Sequence, residues 1–199
     1  MDKLTALLQR IRSCRLCEKY LPKEPKPILR AHQDARLLIV GQAPGIRVHE
    51  TGIPWNDPSG DRLREWLSIK HETFYDESCI AIIPMGYCYP GTGPSGDYPP
   101  RKECAQHWLA SLLACLPNIQ LTFLIGSYAQ AYYLGKRKKQ NLTQTVRAYS
   151  EYLPHYFPLP HPSPRNNRWL FKHPWFNTQI VPVARKLCQK VLQIKSIKK

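Results

Sequence analysis

Four of the seven cysteines are spaced so that they could hold a metal. Cys14 and Cys17 form a C-x2-C pair, whereas Cys88 and Cys104 stand at the two ends of a Pro- and Gly-rich stretch. Four thiolates from two separated segments can close an all-cysteine cage around zinc or around a [4Fe–4S] cluster. The spacing by itself therefore keeps both metals as alternatives.

The other three cysteines, Cys79, Cys115 and Cys188, lie in apolar stretches. We expect them to be small, buried core residues. An odd total in a chain without a signal peptide also argues against a disulfide framework.

Two short motifs follow apolar runs of strand length, and such positions form the sites of α/β sheets. Residues 41–45 read Gly-Gln-Ala-Pro-Gly, and residues 161–166 read His-Pro-Ser-Pro-Arg-Asn. The prolines on both sides of Ser163 hold its backbone extended. His161 alone would equally suit a structural role, so it is the pair of motifs at strand ends that favours a functional site.

The elements around these motifs alternate between strands and helices. The predicted strands are residues 35–40, 80–83, 121–125 and 156–159. The predicted helices are residues 2–12, a helix beginning at Asp57, and residues 101–116, 127–134 and 176–193, the last with a kink at Pro182. Residues 41–57 are predicted to be a loop. This order predicts a three-layer α/β/α fold with a central, mainly parallel four-stranded sheet.

We expect a single domain over residues 1–199, with an irregular arm at residues 14–34 and a basic tail at residues 195–199. The formal net charge is +15, from 29 Lys and Arg against 14 Asp and Glu. This charge favours nucleic acid as the partner; a basic surface without a specific role is the alternative. No apolar run reaches the roughly 20 residues that cross a bilayer, so we expect a soluble, cytoplasmic monomer.

The two motifs, together with residues 51–60 (Thr-Gly-Ile-Pro-Trp-Asn-Asp-Pro-Ser-Gly), resemble the uracil-DNA glycosylase superfamily. The resemblance spans residues 14 to about 170. It implies a base-excision repair enzyme that hydrolyses the N-glycosidic bond of uracil or another damaged base in single- or double-stranded DNA. The cysteine spacing resembles the iron–sulfur classes of this superfamily. A [4Fe–4S] cluster on Cys14, Cys17, Cys88 and Cys104 would then attach the N-terminal arm, without a redox role.

The resemblance also implies roles around the base. His161 would donate a hydrogen bond to the leaving pyrimidine, and Trp55 would stack on the base, although plain core packing is the alternative for Trp55. The backbone amides of Gln42 and Ala43 would contact the base edge. Asn56 is the candidate for reading it, because the end of the second predicted strand lacks the asparagine of the iron–sulfur relatives.

The residue that activates water departs from the family pattern. Gln42 stands where relatives often have Glu; it can orient a water molecule but cannot accept its proton. Ala43 stands where other relatives have Asp or Asn. We expect Asp57 to be the substitute, with Glu50 as the weaker choice. Asp57 also precedes Pro58 and could cap a helix, and one carboxylate can do both.

Residues on both sides of the site would contact DNA. These are Ser59, Ser163, Arg165, Asn166 and Arg168. The loop 165–169, which includes Trp169, would enter the gap left by the everted nucleotide. A second basic cluster, residues 136–139, is interpreted as a solvated face.

Two other functions fit the same residues. One is a catalytically inactive iron–sulfur DNA-binding protein on the glycosylase scaffold. Gln42 and Ala43 are the residues that support this alternative. The other is an α/β metalloprotein that acts on a nucleotide or another small anion.

Overall fold

The computed structural model describes residues 2–94 and 96–193, so the predicted basic tail lies outside the described residues. The strands are β1 (Leu37–Val40), β2 (Ile80–Ile82), β3 (Thr92–Gly93), β4 (Gly96–Asp97), β5 (Leu121–Ile125) and β6 (Tyr156–Leu159). Four of them form one parallel sheet in the order β2-β1-β5-β6, and β3 and β4 form a small antiparallel hairpin. The predicted four-stranded parallel sheet is confirmed.

The α-helices are α1 (Lys3–Arg12), α2 (Ile46–Thr51), α3 (Pro58–Leu67), α4 (His71–Tyr75), α5 (Lys102–Cys104), α6 (Ala110–Ala114), α7 (Ser127–Leu134), α8 (Leu142–Arg147), α9 (Asn167–Lys172) and α10 (Val181–Leu192). A π-helical segment, Ala105–Leu109, joins α5 to α6, and another, Phe176–Ile180, precedes α10. Pro182 is the second residue of α10, directly after the π-helical segment.

The sheet is covered on both faces because its side chains alternate between them. Leu38 and Val40 of β1 join a core cluster with residues of α1 and α7. Leu37 and Ile39 join the opposite cluster with residues of α3 and α10. The three-layer arrangement places the carboxyl ends of all four strands at one edge of the molecule.

Three details differ from the sequence expectations. The predicted loop 41–57 contains α2, whose single buried residue, Val48, leaves no apolar stripe to detect. The residues of the β3–β4 hairpin likewise carry no apolar alternation. Among the three cysteines expected in the core, Cys188 is buried, whereas Cys79 and Cys115 are partly exposed. None of the described helices is long and apolar enough to span a membrane.

Candidate functional site

The two motifs meet at one cavity of about 250 Å³ beyond the carboxyl ends of β1 and β6. Residues 41–45 form one part of its wall, and His161, Ser163 and Arg165 form another. The segment between α2 and α3 supplies Trp55, and the start of α3 supplies Ser59. The juxtaposition expected from the sequence is therefore present.

Trp55 and His161 are in direct contact inside this cavity. Their ring centroids lie 5.5 Å apart with the planes inclined by 30°, which is a stacked arrangement. The indole ring is thus a wall of the cavity rather than part of the hydrophobic interior alone.

Two glycines make room for Trp55. A Cβ on Gly41 would lie 2.8 Å from the indole Cζ2, and a Cβ on Gly60 would lie 1.7 Å from the Trp55 carbonyl oxygen. Trp55 itself has a φ of 58°, in the left-handed region that side chains rarely adopt. The residues packed around Trp55 therefore hold its ring in place, against the local backbone preference of a non-glycine residue.

Hydrogen bonds secure the same backbone. Arg64 of α3 donates from Nη1 to the Trp55 carbonyl at 3.2 Å, and the Tyr75 hydroxyl donates to the Pro54 carbonyl at 2.9 Å. Arg64 also contacts the faces of Phe74 and Tyr75 with its guanidinium. Nothing in the sequence marked Arg64 or Tyr75 as parts of the site.

His161 has a defined tautomer in the neutral state. The backbone N–H of Ser163 donates to its Nδ1 at 3.2 Å, so the ring proton must be on Nε2. Burial lowers the pKa of His161, with the nearby carboxylates of Asp57 and Asp97 acting in the opposite direction. At neutral pH the residue is an uncharged imidazole with one N–H to offer.

The His161 loop is held from two sides. Arg62 of α3 donates from Nη1 to the carbonyls of Pro162 and Ser163, at 3.2 and 3.3 Å. The Asn166 side chain donates to the His161 carbonyl at 2.7 Å. The amide of Asn166 is thus used within the loop, and Arg62 is a positioning residue that the sequence did not reveal.

Asp57 both caps α3 and faces the cavity. Its Oδ1 accepts the Gly60 N–H at 2.8 Å, so it caps α3, and it also lines the cavity. A capping carboxylate keeps a second oxygen available, so capping does not prevent a role toward a ligand.

Gln42 is fixed by the chain beyond β4. Its Nε2 donates to the Tyr98 carbonyl at 3.1 Å, which leaves the amide oxygen as the end that could accept a hydrogen bond from water. The backbone carbonyl of Gln42 accepts the Gly86 N–H at 2.9 Å. Ala43, beside it, also lines the cavity.

A second carboxylate, Asp97, lines the cavity and was not found from the sequence. It comes from the hairpin within the cysteine-flanked stretch, far along the chain from either motif. The Thr92 hydroxyl donates to its Oδ1 at 2.7 Å, and Thr92 in turn contacts the Tyr89 hydroxyl at 2.8 Å. Only the folding of the hairpin over Gly45 brings this carboxylate to the site.

Several expected residues lie elsewhere. Among the described residues that line the cavity, neither Asn56 nor Arg168 is present. Trp169, within the loop 165–169, is partly buried against the core and donates from Nε1 to the Thr143 hydroxyl at 2.9 Å. Arg168 is exposed on α9, beside the strongly exposed Phe171.

The four expected metal ligands face one small cavity at the N-terminal arm. Cys14, Cys17, Cys88 and Cys104 all line it. Burial raises the pKa of Cys17, that of Cys88 to about 11 and that of Cys104 to about 12. With the side chains as they stand, no group of three or more His, Cys, Asp or Glu in the described parts of the chain could hold a metal ion.

The chain is similar to a solved structure and matches the model of a protein family. The chain is similar to the solution structure of a putative uracil DNA glycosylase from Methanosarcina acetivorans, with 15% identity and a TM-score of 0.47 over 81% of this chain and 98% of that one. The family model of the uracil DNA glycosylase superfamily matches residues 30–185, which include both motifs, Trp55 and Asp97. On this match, the chain belongs to the uracil DNA glycosylase superfamily.

Proposed function

We propose that this protein excises uracil or another deaminated or damaged base from DNA by hydrolysing its N-glycosidic bond. One observation carries the proposal: a neutral His161, with its proton on Nε2, stacks against Trp55 in the cavity that both family motifs line. A cavity beyond the strand ends, open to solvent, suits a nucleotide turned out of its stack.

The leaving base requires a hydrogen-bond donor. It departs with negative charge shared between a ring nitrogen and its exocyclic oxygens, and a fixed N–H facing that charge lowers the barrier. His161 Nε2–H serves this purpose because Ser163 occupies the other ring nitrogen. Arg62 keeps the donor in place through the carbonyls of the same loop.

The sugar becomes cationic as the bond breaks, so carboxylates near it stabilise the transition state. Asp57 and Asp97 both line the cavity, and both act on His161 electrostatically. Either carboxylate can accept a proton from attacking water, whereas the Gln42 amide oxygen can only orient it. We assign Asp57 this role first, because the Gly60 N–H holds its carboxylate at the start of α3.

The DNA strand would lie across the rim of the cavity. Ser59 and Ser163 line the cavity, and the Arg165 guanidinium lies against the Gly96 backbone at its edge. Arg168, which does not line the cavity, is exposed on α9, three residues after Arg165. We assign these groups to the flanking phosphates, in accord with the net charge of +15.

We further propose a [4Fe–4S] cluster on the four cysteines. Four soft donors around one cavity are the ligand set that such a cluster takes. The contribution of the cluster here is to join the arm to residues 88–104; the hydrolysis uses none of its electrons.

The test is base release from oligonucleotides containing uracil, hypoxanthine, xanthine or a G·T mismatch, single- and double-stranded, followed by cleavage at abasic sites. We expect release of at least one base by the wild type and none by His161→Ala. Salt-dependent DNA binding without release of any base would instead support the inactive DNA-binding protein. Saturation by mononucleotides with weak DNA affinity would support a nucleotide-acting enzyme.

A further inference from the structure

A second cavity, of about 370 Å³, lies next to the first and has no role in the chemistry described above. It is lined by two tyrosines, three prolines and two cations. These are Tyr20, Pro90, Tyr98, Pro99, Pro100, Arg101 and Lys102.

The two cavities are adjacent along the chain. Asp97 lines the first and Tyr98 lines the second, and consecutive Cα atoms are only about 3.8 Å apart. The Gln42 side chain, in the first cavity, donates to the Tyr98 carbonyl at 3.1 Å. A strand with one nucleotide in the first cavity would therefore present its neighbour to the second.

Tyr98 offers an aromatic surface. Its side chain rests on two glycines: a Cβ on Gly91 would be 3.0 Å from the ring Cδ2, and a Cβ on Gly93 would be 2.9 Å from Cε1. Because glycine has no side chain to surround the ring, the residue remains 53% exposed in spite of this support. A ring that is held by the backbone beneath it and open to solvent is a platform for stacking.

The remaining groups complement a nucleotide. Tyr20 is 51% exposed, and the Arg101 guanidinium lies 4.4 Å from its ring centroid. Arg101 is in turn held by hydrogen bonds to Glu103. The exposed Lys102 adds a positive charge at the rim, suited to a phosphate.

We propose that this second cavity binds the unpaired base of the nucleotide next to the everted one, with Tyr98 as its stacking partner. The occupant is a single DNA strand, because a base within a duplex is already stacked and paired. Every base has a π-face, so the site is tolerant of sequence. The proposal rests on the DNA binding of the proposed function and adds to it a preference for unpaired strands.

The test measures the affinity of fluorescent DNA strands by anisotropy at one fixed salt concentration. Each strand carries a stable abasic analogue, and the base on its 5′ or 3′ side is either present or replaced by a second abasic analogue. We expect Tyr98→Ala to weaken binding about 5- to 100-fold, the range of one lost stacking contact, and Tyr98→Phe to stay within about threefold. Removing the neighbouring base on one side should weaken the wild type and leave Tyr98→Ala unchanged.

Tyr132→Ala is the matched control, since Tyr132 is 51% exposed on α7 and lines neither cavity. The proposal is overturned by unchanged affinity in Tyr98→Ala, by a loss that does not depend on the neighbouring base, or by an equal loss with duplex DNA. These strands contain no base to release at the analogue, so the outcome does not depend on catalysis. A wild type that binds as expected but releases no base would refute the proposed activity alone.

Discussion

Trp55 and His161 stack with ring centroids 5.5 Å apart, and two arginines of one helix hold the backbone of Trp55 and of the two residues after His161. Arg64 binds the Trp55 carbonyl, whereas Arg62 binds the carbonyls of residues 162 and 163. Helix α3 therefore sets the distance between the stacking wall and the hydrogen-bond donor, although it supplies neither ring.

Gly60→Ala is expected to destabilise the protein and lower base release at least tenfold. Alanine in place of glycine within a helix ordinarily raises the free energy of unfolding by about 0.5–1 kcal/mol. A lower free energy of unfolding here would therefore report the clash with Trp55. The added Cβ would stand 1.7 Å from the Trp55 carbonyl oxygen. Thermal unfolding and base release measure the two effects. Gly45→Ala is the control for stability, because its Cβ would meet only Asp97 Oδ2, at 3.4 Å.

Arg62→Ala is expected to lower kcat for base release at least tenfold, because the loop that carries His161 loses its hydrogen bonds to Arg62. The two lost hydrogen bonds should also cost about 1–3 kcal/mol in unfolding free energy. Arg185→Ala is a matched control, since Arg185 likewise donates to two carbonyls, those of Trp66 and Glu65, at 3.0 Å each. Similar losses of stability with only Arg62→Ala affecting kcat would establish the positioning role; equal kcat values in the two variants would contradict it.

Asp57→Asn separates capping from chemistry. Asparagine caps a helix about as well as aspartate, so the unfolding free energy should stay within about 0.5 kcal/mol. If Asp57 is the carboxylate near the sugar, single-turnover base release should fall at least 100-fold.

Asp97→Asn is the companion variant, because Asp97 lines the same cavity. We expect a smaller loss of base release from it, about tenfold or less. If base release fell strongly in Asp97→Asn while Asp57→Asn remained active, the assignment of the two carboxylates would be reversed.

The pH dependence should show the neutral state of His161. Its pKa in the folded protein lies below the ordinary value of 6.5, so the unfolded chain binds more protons between the two values. Stability must therefore fall as the pH decreases through 6.5, and base release should persist below that pH until the ring is protonated.

His49, whose pKa is also lowered by burial, contributes to the same pH range. The measurement is accordingly the difference between the wild type and His161→Gln, by chemical unfolding at several pH values. If the free energies of unfolding of the wild type and His161→Gln differ by the same amount at every pH in this range, the pKa of His161 is not lowered.

Cys104→Ser should abolish a brown colour and broad absorbance near ~400 nm in protein purified without oxygen. Cys115→Ser is the matched control, because Cys115 does not line the cavity of the four expected ligands among the described residues. Colourless wild-type protein with bound zinc would favour the alternative metal, and colour retained in Cys104→Ser would contradict the ligand assignment.

The sequence alone determined the sheet and the placement of its two motifs. Runs such as residues 37–40 and 121–125 are buried on both faces, and only the strands of a covered parallel sheet need continuous apolar residues. Because parallel strands end at one edge, the motifs that follow β1 and β6 lie at the same edge of the sheet, and His161, Trp55 and Asp57 all line one cavity there.

Tertiary structure alone decided which other groups reach that cavity. Asp97 lies in a hairpin of two-residue strands and Tyr98 directly follows it, and strands this short have no periodicity to recognise. Arg62 and Arg64 lie on α3, and arginine is too common on helix surfaces to stand out there. Both arginines donate hydrogen bonds to backbone carbonyl groups, which every residue carries. No pattern of side chains in the sequence could therefore predict these contacts.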